Sequence, residues 1–323
     1  MARTKFVSVT RTGNENDIIE PFVRHHAALV DRLLIIDDNS SDGTWTILER
    51  LRDEGLPLTL FRAAEVDWPQ TDLTTRLMHL AFDRYDADWV APIDADEFIE
   101  PPAGAGLADV LPPARDQLAQ IRWCNFAWHR GLDEAERNPV VRLRRRMPPR
   151  TDSFKVLVPR DGLHGDPNAR LFNGHHGLSH AGGYTDLIYC RQLPLCHYPV
   201  RSIQQFVSKS VINYLRYAAM PNNNRPMDGF QYHKPFDLAK ASIEQLLPAI
   251  VQEMEQASPF YALQKGGQMI GEPADRPLDY RGGAMIHSTF ATAALTNIVN
   301  LAERLARRVA DLEARLAMPA GGL

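Results

Sequence analysis

Four large aliphatic residues in a row, Leu33–Leu34–Ile35–Ile36, stop abruptly at Asp37–Asp38–Asn39–Ser40. A strand with one wet face alternates apolar and polar residues, so a short unbroken run suits a strand buried on both faces. Such strands lie in sheets covered by helices on either side, and this run therefore argues for an α/β layer structure. The neighbouring sequence agrees. Lys5–Phe6–Val7–Ser8–Val9–Thr10 is β-rich and gives way to the polar turn Arg11–Thr12–Gly13–Asn14–Glu15. Asp17 is expected to cap a helix over 18–29, where Ile18, Ile19, Phe22, Val23 and Leu29 fall near helical spacing. A turn and a capped helix through Leu51, a strand over 58–62, a helix over 71–85 and a short apolar strand over 87–90 follow. This alternation implies βαβ units and a parallel sheet with right-handed crossovers.

Charge removes some functions. Among 323 residues, 36 Lys and Arg stand against 40 Asp and Glu, a net charge of −4, so no basic field argues for nucleic acid. No apolar run is long enough to span a bilayer, and Met1–Ala2–Arg3–Thr4–Lys5 leads into a strand without a signal-peptide pattern. Cys124, Cys190 and Cys196 make an odd count without a Cys-x-x-Cys pair, as expected of free thiols in a reducing compartment. The expectation is a cytoplasmic protein.

The chemistry is expected where the strand over 87–90 ends, at Ala91–Pro92–Ile93–Asp94–Ala95–Asp96–Glu97–Phe98. Along an extended chain Asp94 and Asp96 would project to one side and face a single hard cation. Strand carboxyl ends are also where open α/β sheets bind ligands. Alone, Asp-x-Asp is a weak signal, because acidic turns are common.

The order of motifs sharpens it. Val7–Ser8–Val9–Thr10–Arg11–Thr12–Gly13–Asn14–Glu15, then Ile35–Ile36–Asp37–Asp38–Asn39–Ser40–Ser41–Asp42–Gly43–Thr44, then Ile93–Asp94–Ala95–Asp96–Glu97–Phe98 resembles a family 2 glycosyltransferase of GT-A fold. Within it, the bacterial branch whose metal motif reads Asp-x-Asp-Glu-Phe is the nearest pattern. The resemblance implies a Rossmann-like, mixed and mostly parallel sheet flanked by helices, with a helical C-terminal extension. The motifs cover roughly the first third of the chain; with the helical pattern of its last third they give an expected catalytic domain at 1–220, nucleotide-binding over 1–100 and acceptor-binding over 101–220, and a mainly helical extension at 221–323. The resemblance further implies Mn2+ or Mg2+, a UDP- or dTDP-sugar donor, inversion, and a hydroxyl acceptor on a saccharide, lipid-linked glycan or small molecule.

Residue by residue, the resemblance makes Asp38 the reader of the base, since a carboxylate can accept a uracil or thymine imide N–H. Thr10, Arg11 and Glu15 line the same pocket, while Asp42 reads better as a cap for the helix after Gly43. Arg76 is either a cation beside the nucleotide or an exposed helical arginine. Asp94 is expected to touch ribose or metal, Asp96 to bind metal, and Glu97 to orient the loop.

Strands are expected over 117–126 and 154–159. Between them Arg142, Arg144, Arg145, Arg146 and Arg150 read as a solvated face or, alternatively, as a loop over the donor diphosphate or an anionic acceptor. Five histidines follow, His164, His175, His176, His180 and His197. In the resembled family a strand past the active site ends in a histidine near the metal, which makes His197 the third ligand; neutral imidazole suits manganese better than magnesium. Where that family carries an acidic pair, this chain has Asn173–Gly174–His175–His176–Gly177. His176 or His175 then stands as base, with an ordinary pKa of about 6.5, and Asp166 or Asp186 as the alternatives.

A helix over 202–217, another over 237–257 and an amphipathic one over 301–316 complete the reading; the last carries Leu301, Leu305, Val309, Leu312 and Leu316 and could pair two copies into a homodimer. Two other functions compete with glycosyl transfer. A nucleotidyltransferase on a related fold would want a richer first loop than one Gly and one Arg. A non-catalytic sugar-nucleotide-binding protein would explain the missing acidic pair.

Overall fold

The computed structural model describes residues 3–63, 70–112, 116–218 apart from Arg130, Glu134, 150–152, Gly162 and Thr185, and 274–288 with Ala302. The expected helices over 237–257 and 301–316, and with them the extension and the dimer, lie outside the described residues.

The main sheet is built from β1 (Phe6–Thr12), β2 (Arg32–Asp37), β3 (Leu58–Arg62), β4 (Trp89–Pro92), β5 (Glu97–Ile99), β6 (Leu118–Asn125), β8 (Phe154–Pro159), β12 (Leu187–Tyr189) and β13 (Leu195–His197). Its order is β3-β2-β1-β4-β8-β6-β13-β5, with β12 also paired to β6. The first four strands run parallel, β8 lies antiparallel between β4 and β6, and β13 pairs parallel with β6 and antiparallel with β5. The sheet is thus mixed and mostly parallel, as expected. A two-stranded ribbon joins β7 (Arg145–Arg146) to β14 (Ala274–Asp275), and a small antiparallel sheet joins β9 (Arg170–Leu171), β10 (Leu178–His180) and β11 (Gly183–Tyr184).

Helices α1 (Ile19–Ala27), α2 (Thr44–Asp53) and α3 (Gln70–Tyr85) cover the sheet, and α4 (Leu107–Val110) and α5 (Pro139–Arg142) are single turns. Side chains along a strand alternate between faces. Leu33 and Ile35 accordingly join Phe22, Val23, Ile47 and Leu48 of α1 and α2 in one core, while Leu34 and Ile36 join Leu77, Met78 and Phe82 of α3 in the other. This two-sided burial is what the aliphatic run required.

Contacts divide the chain into one unit of Met1–Arg201 with Met254–Phe290 and a second of Ser202–Glu253 with Ala291–Leu323; the described helix of the second is α6 (Ile203–Ala218). Within the first unit, 274–288 returns to α1. Glu20 accepts from the amides of Ile286, His287 and Ser288, and Arg281 donates to the carbonyls of Ala105, Pro101 and Pro102.

Two local expectations fail. Asp17 does not cap α1: Ile18 occupies the cap position without a side-chain bond, and Asp17 is taken up by Arg201. Nor is the Asp94–Asp96 stretch extended. β4 stops at Pro92 and the Glu97 amide closes on the Asp94 carbonyl at 3.0 Å, so the two aspartates sit on a turn and leave it in different directions.

Candidate active site

β4 delivers the Asp94–Asp96 turn to the carboxyl edge of the sheet, beside the ends of β1 and β2. Glu97 shapes that turn. Its buried carboxylate accepts the Asp94 amide at 2.8 Å and the Trp123 indole N–H at 2.8 Å. Burial first, then Asp94 and Asp96, push this carboxyl up to about 8 against the pull of Lys155. The expectation that Glu97 orients the loop matches this geometry.

The two aspartates have different keepers. Lys155 of β8, with no solvent exposure, places Nζ 2.6 Å from Asp94 Oδ2 and 3.2 Å from Glu97 Oε2. Burial alone would raise the Asp94 carboxyl, but the Lys155 ammonium brings it below its ordinary value. Asp96 turns the other way. Its Oδ2 lies 3.7 Å from Arg201 and its Oδ1 3.8 Å from His197 Nε2.

β13 carries His197 into register with Glu97 on one side and Asn125 on the other. Nδ1 contacts Asn125 Oδ1 at 2.8 Å, and because that oxygen only accepts, Nδ1 must hold the proton. Nε2 faces Asp96 Oδ1. The ring stacks on Trp123 at 4.6 Å, which fixes its plane.

Arg201 is also fully buried. It gives Nε and a terminal nitrogen to Asp17 at 2.8 and 2.9 Å, reaches Glu15, and donates to the Tyr198 carbonyl at 3.1 Å. Around this turn five carboxylates (Glu15, Asp17, Asp94, Asp96 and Glu97) share two buried cations, Lys155 and Arg201. The acidic excess and the fixed Asp96–His197 pair suit a small divalent cation. Among the described residues, however, no three His, Cys, Asp or Glu side chains stand together as a ready metal cage.

At the end of β2, Asp38 is nearly buried and ion-paired with Arg11 of β1, and its amide donates to Thr12 O at 2.8 Å. The Thr10 side chain is fully buried. Glu15 turns toward Arg201, and its amide donates to Thr44 at 2.9 Å. Asp42 holds the start of α2 by accepting from the Thr44 amide at 3.0 Å, although Gly43 occupies the cap position itself. Arg76 is exposed on α3.

Gly174 and His175 both take left-handed backbone angles, φ 71° and 57°, in the turn after β9. This double reversal sends His175 inward and His176 outward. His175 is fully buried, with Nδ1 accepting from Lys155 at 3.3 Å and Nε2 donating to Thr74 Oγ1 at 3.0 Å. Burial and then Lys155 lower it to about 3, so it stays neutral. His176 is exposed and donates from Nδ1 to Phe154 O; burial of part of the ring and Lys155 hold it below its ordinary value. Asp166 is spent on the amides of Ala181 and Asn168, at 2.7 and 2.8 Å.

The arginine run does not face solvent throughout. Arg142 donates to the carbonyls of Glu136 and Arg201, and Arg146 pairs with buried Glu100 at 2.5 Å, while Arg144 meets Asp275 at 3.0 Å at the surface.

Residues 9–151 match the family model described as glycosyl transferase family 2, and that stretch is a glycosyltransferase domain. No curated protein sequence matches the chain. Among solved structures, S. aureus TarS 1-349 is 14% identical over 79% of this chain and 81% of its own, with a TM-score of 0.38. The mannosyltransferase PcManGT from Pyrobaculum calidifontis, in complex with GDP-Man and Mn2+, is 16% identical over 81% and 75%, with a TM-score of 0.36.

Proposed function

We propose that this glycosyltransferase moves a sugar from a nucleotide-diphosphate donor, UDP- or dTDP-linked, to a hydroxyl acceptor, with inversion and with Mn2+ or Mg2+ held at Asp96 and His197. The observation that carries the reading is the 3.8 Å approach of His197 Nε2 to Asp96 Oδ1, with Nδ1 already committed to Asn125. Neighbouring ligand atoms about 2.1 Å from a small cation stand roughly 3–4 Å apart, and a hydrogen bond on the far nitrogen is how protein sites aim such an imidazole. A cation bound there would neutralise the diphosphate as the glycosidic C–O bond breaks.

The chain's own residues supply the rest. Asp38, fixed by Arg11, accepts the imide N–H of the base. His176 takes the acceptor hydroxyl's proton on Nε2, because Phe154 O engages Nδ1 and its lowered pKa keeps it neutral near pH 7. His175 is sealed away from any acceptor, and Asp166 is committed to backbone amides. Arg76 is the further cation proposed near the nucleotide. No helix of the described residues is long and apolar enough to cross a membrane, and a cytoplasmic site of action is part of the reading.

Thermal unfolding tests it. UDP or dTDP should raise Tm only in the presence of Mn2+ or Mg2+. If no combination of UDP, dTDP or GDP with either metal moves Tm, the proposal is lost.

A further inference from the structure

Residues 274–288 form a strap whose backbone is fastened to α1 and to the end of β5 through side chains that can take up protons. The Asp279 amide donates to Glu100 Oε1 at 3.0 Å and the Arg281 amide to His25 Nδ1 at 3.2 Å. The amides of Ile286, His287 and Ser288 donate to the two Glu20 oxygens at 2.8, 2.6 and 2.6 Å. His25 is a two-sided link. Its Nε2 meets Ile99 O of β5 at 2.8 Å, and a carbonyl only accepts, so Nε2 holds the proton and Nδ1 has the lone pair that the Arg281 amide needs. The neighbouring His26 has the opposite tautomer, donating from Nδ1 to Phe22 O at 2.9 Å and accepting the Ile99 amide on Nε2 at 3.3 Å. β5 ends the strand order, and two neutral rings do for its open edge what a further strand would do. A second proton on His25 removes the acceptor of the Arg281 amide, and a proton on Glu20 turns one acceptor oxygen into a donor facing amides.

We propose that the strap is an acid-released clasp, closed while His25 is neutral and Glu20 ionised, and lifting from α1 and β5 as first His25 and then Glu20 takes up a proton. His25 faces His26 on α1, Glu100 after β5, and Asp279, Tyr280 and Arg281 on the strap; burial, the largest influence, lowers it to about 4. Glu20 faces Arg24 on α1 and Tyr280 and His287 on the strap, and Glu54 past α2 pairs with Arg24 and His287 in turn. Burial opposes the charge on Glu20, but the strap amides and Arg24 bring its carboxyl below the ordinary value. With the strap lifted, both groups face water and return toward their ordinary values. The clasp is therefore at full strength above about pH 6.5, weakens through His25 as pH falls toward 4, and weakens again through Glu20 below its ordinary value of about 4.5. Neither a sugar donor nor a cation takes part.

The test is hydrogen exchange on the full chain, read peptide by peptide at about pH 7.5 and about pH 5 and corrected for the intrinsic pH dependence of exchange. In the wild type, protection of 276–288 should fall at least about tenfold at the lower pH, through His25 alone, while peptides of β1 and β2 hold theirs. His25→Asn puts an oxygen near the place of Nδ1 and takes up no proton, so its strap should keep its protection to within about twofold between the two pH values. Glu20→Gln replaces an acceptor oxygen by a group that only donates, and should lower strap protection about tenfold already at pH 7.5, again leaving β1 and β2 as they were. An unchanged wild-type strap at pH 5, or β1 and β2 opening together with it, overturns the clasp. So does the full loss at pH 5 persisting in His25→Asn. Should that variant not fold, the wild type and Glu20→Gln decide, undiminished strap protection in either counting against.

Discussion

Arg201 Nε donates to Asp17 Oδ2 at 2.8 Å across 184 residues of sequence, and neither group has appreciable solvent. Through Glu15 and Asp96 the same guanidinium ties the loop after β1 to the turn that carries the aspartates. The loop after β1 and the Asp94–Asp96 turn therefore share one buried charge.

Arg201→Met should cost about 3–5 kcal/mol in urea unfolding, because it strands buried carboxylates without a partner. Arg201→Lys keeps the charge but not the fork, and should recover only part of the loss. Equal stability of wild type and Arg201→Met would contradict the buried network.

Asp96→Asn removes the carboxylate that faces His197 while keeping its shape. Mn2+ affinity should fall roughly 10–100-fold by calorimetry, and metal-dependent hydrolysis of UDP-sugars should fall with it. Undiminished Mn2+ binding would place the cation elsewhere.

His176→Gln should lower transfer to an acceptor by about 10²–10⁴-fold and leave UDP binding with Mn2+ near the wild-type value. The lowered pKa of His176 also puts the acid limb of kcat below the ordinary value of about 6.5. An acid limb above that value would assign the proton transfer to another group.

Buried His25, on the opposite side of the sheet from α3, gives a stability signature. Burial lowers it to about 4, with Ile99 O, Arg281, Glu100 and Asp279 around it. Above about 6.5 it is neutral in both folded and unfolded chains; as pH falls toward 4, the unfolded chain takes up a proton the folded one refuses. That single group should remove about 3 kcal/mol between pH 6.5 and 4. Urea midpoints measured across this window for wild type and His25→Asn should diverge from the expected slope only in the variant.

Local pattern carried much of the fold into view. The aliphatic run at 33–36 announced a strand buried on both faces, and β8 and β3 fall where β-branched and apolar residues concentrate. The Asp-x-Asp stretch, Asp38 and His197 were also visible, because each lies at or just past the end of a strand and bears a chemically distinctive side chain. Lys155 and Arg201 were not. Each sits in an unremarkable local sequence, and its importance comes from partners 61 and up to 186 residues away. Trp123 was hidden for the same reason: its N–H finds Glu97 and its ring finds His197 only once β6 and β13 pair. The opposite fates of His175 and His176 depend on two left-handed residues, of which only Gly174 left a mark in the sequence.

The return of 274–288 to α1 has a practical side. A gene fragment that stops after Arg201 would contain every residue assigned to the donor, yet would leave the Glu20 carboxylate facing three missing amides. Helix α1 is fastened by a piece of chain encoded some 266 codons downstream of it. Truncations aimed at crystals or at a minimal enzyme have to carry that stitch along, or replace Glu20 with something that does not miss it.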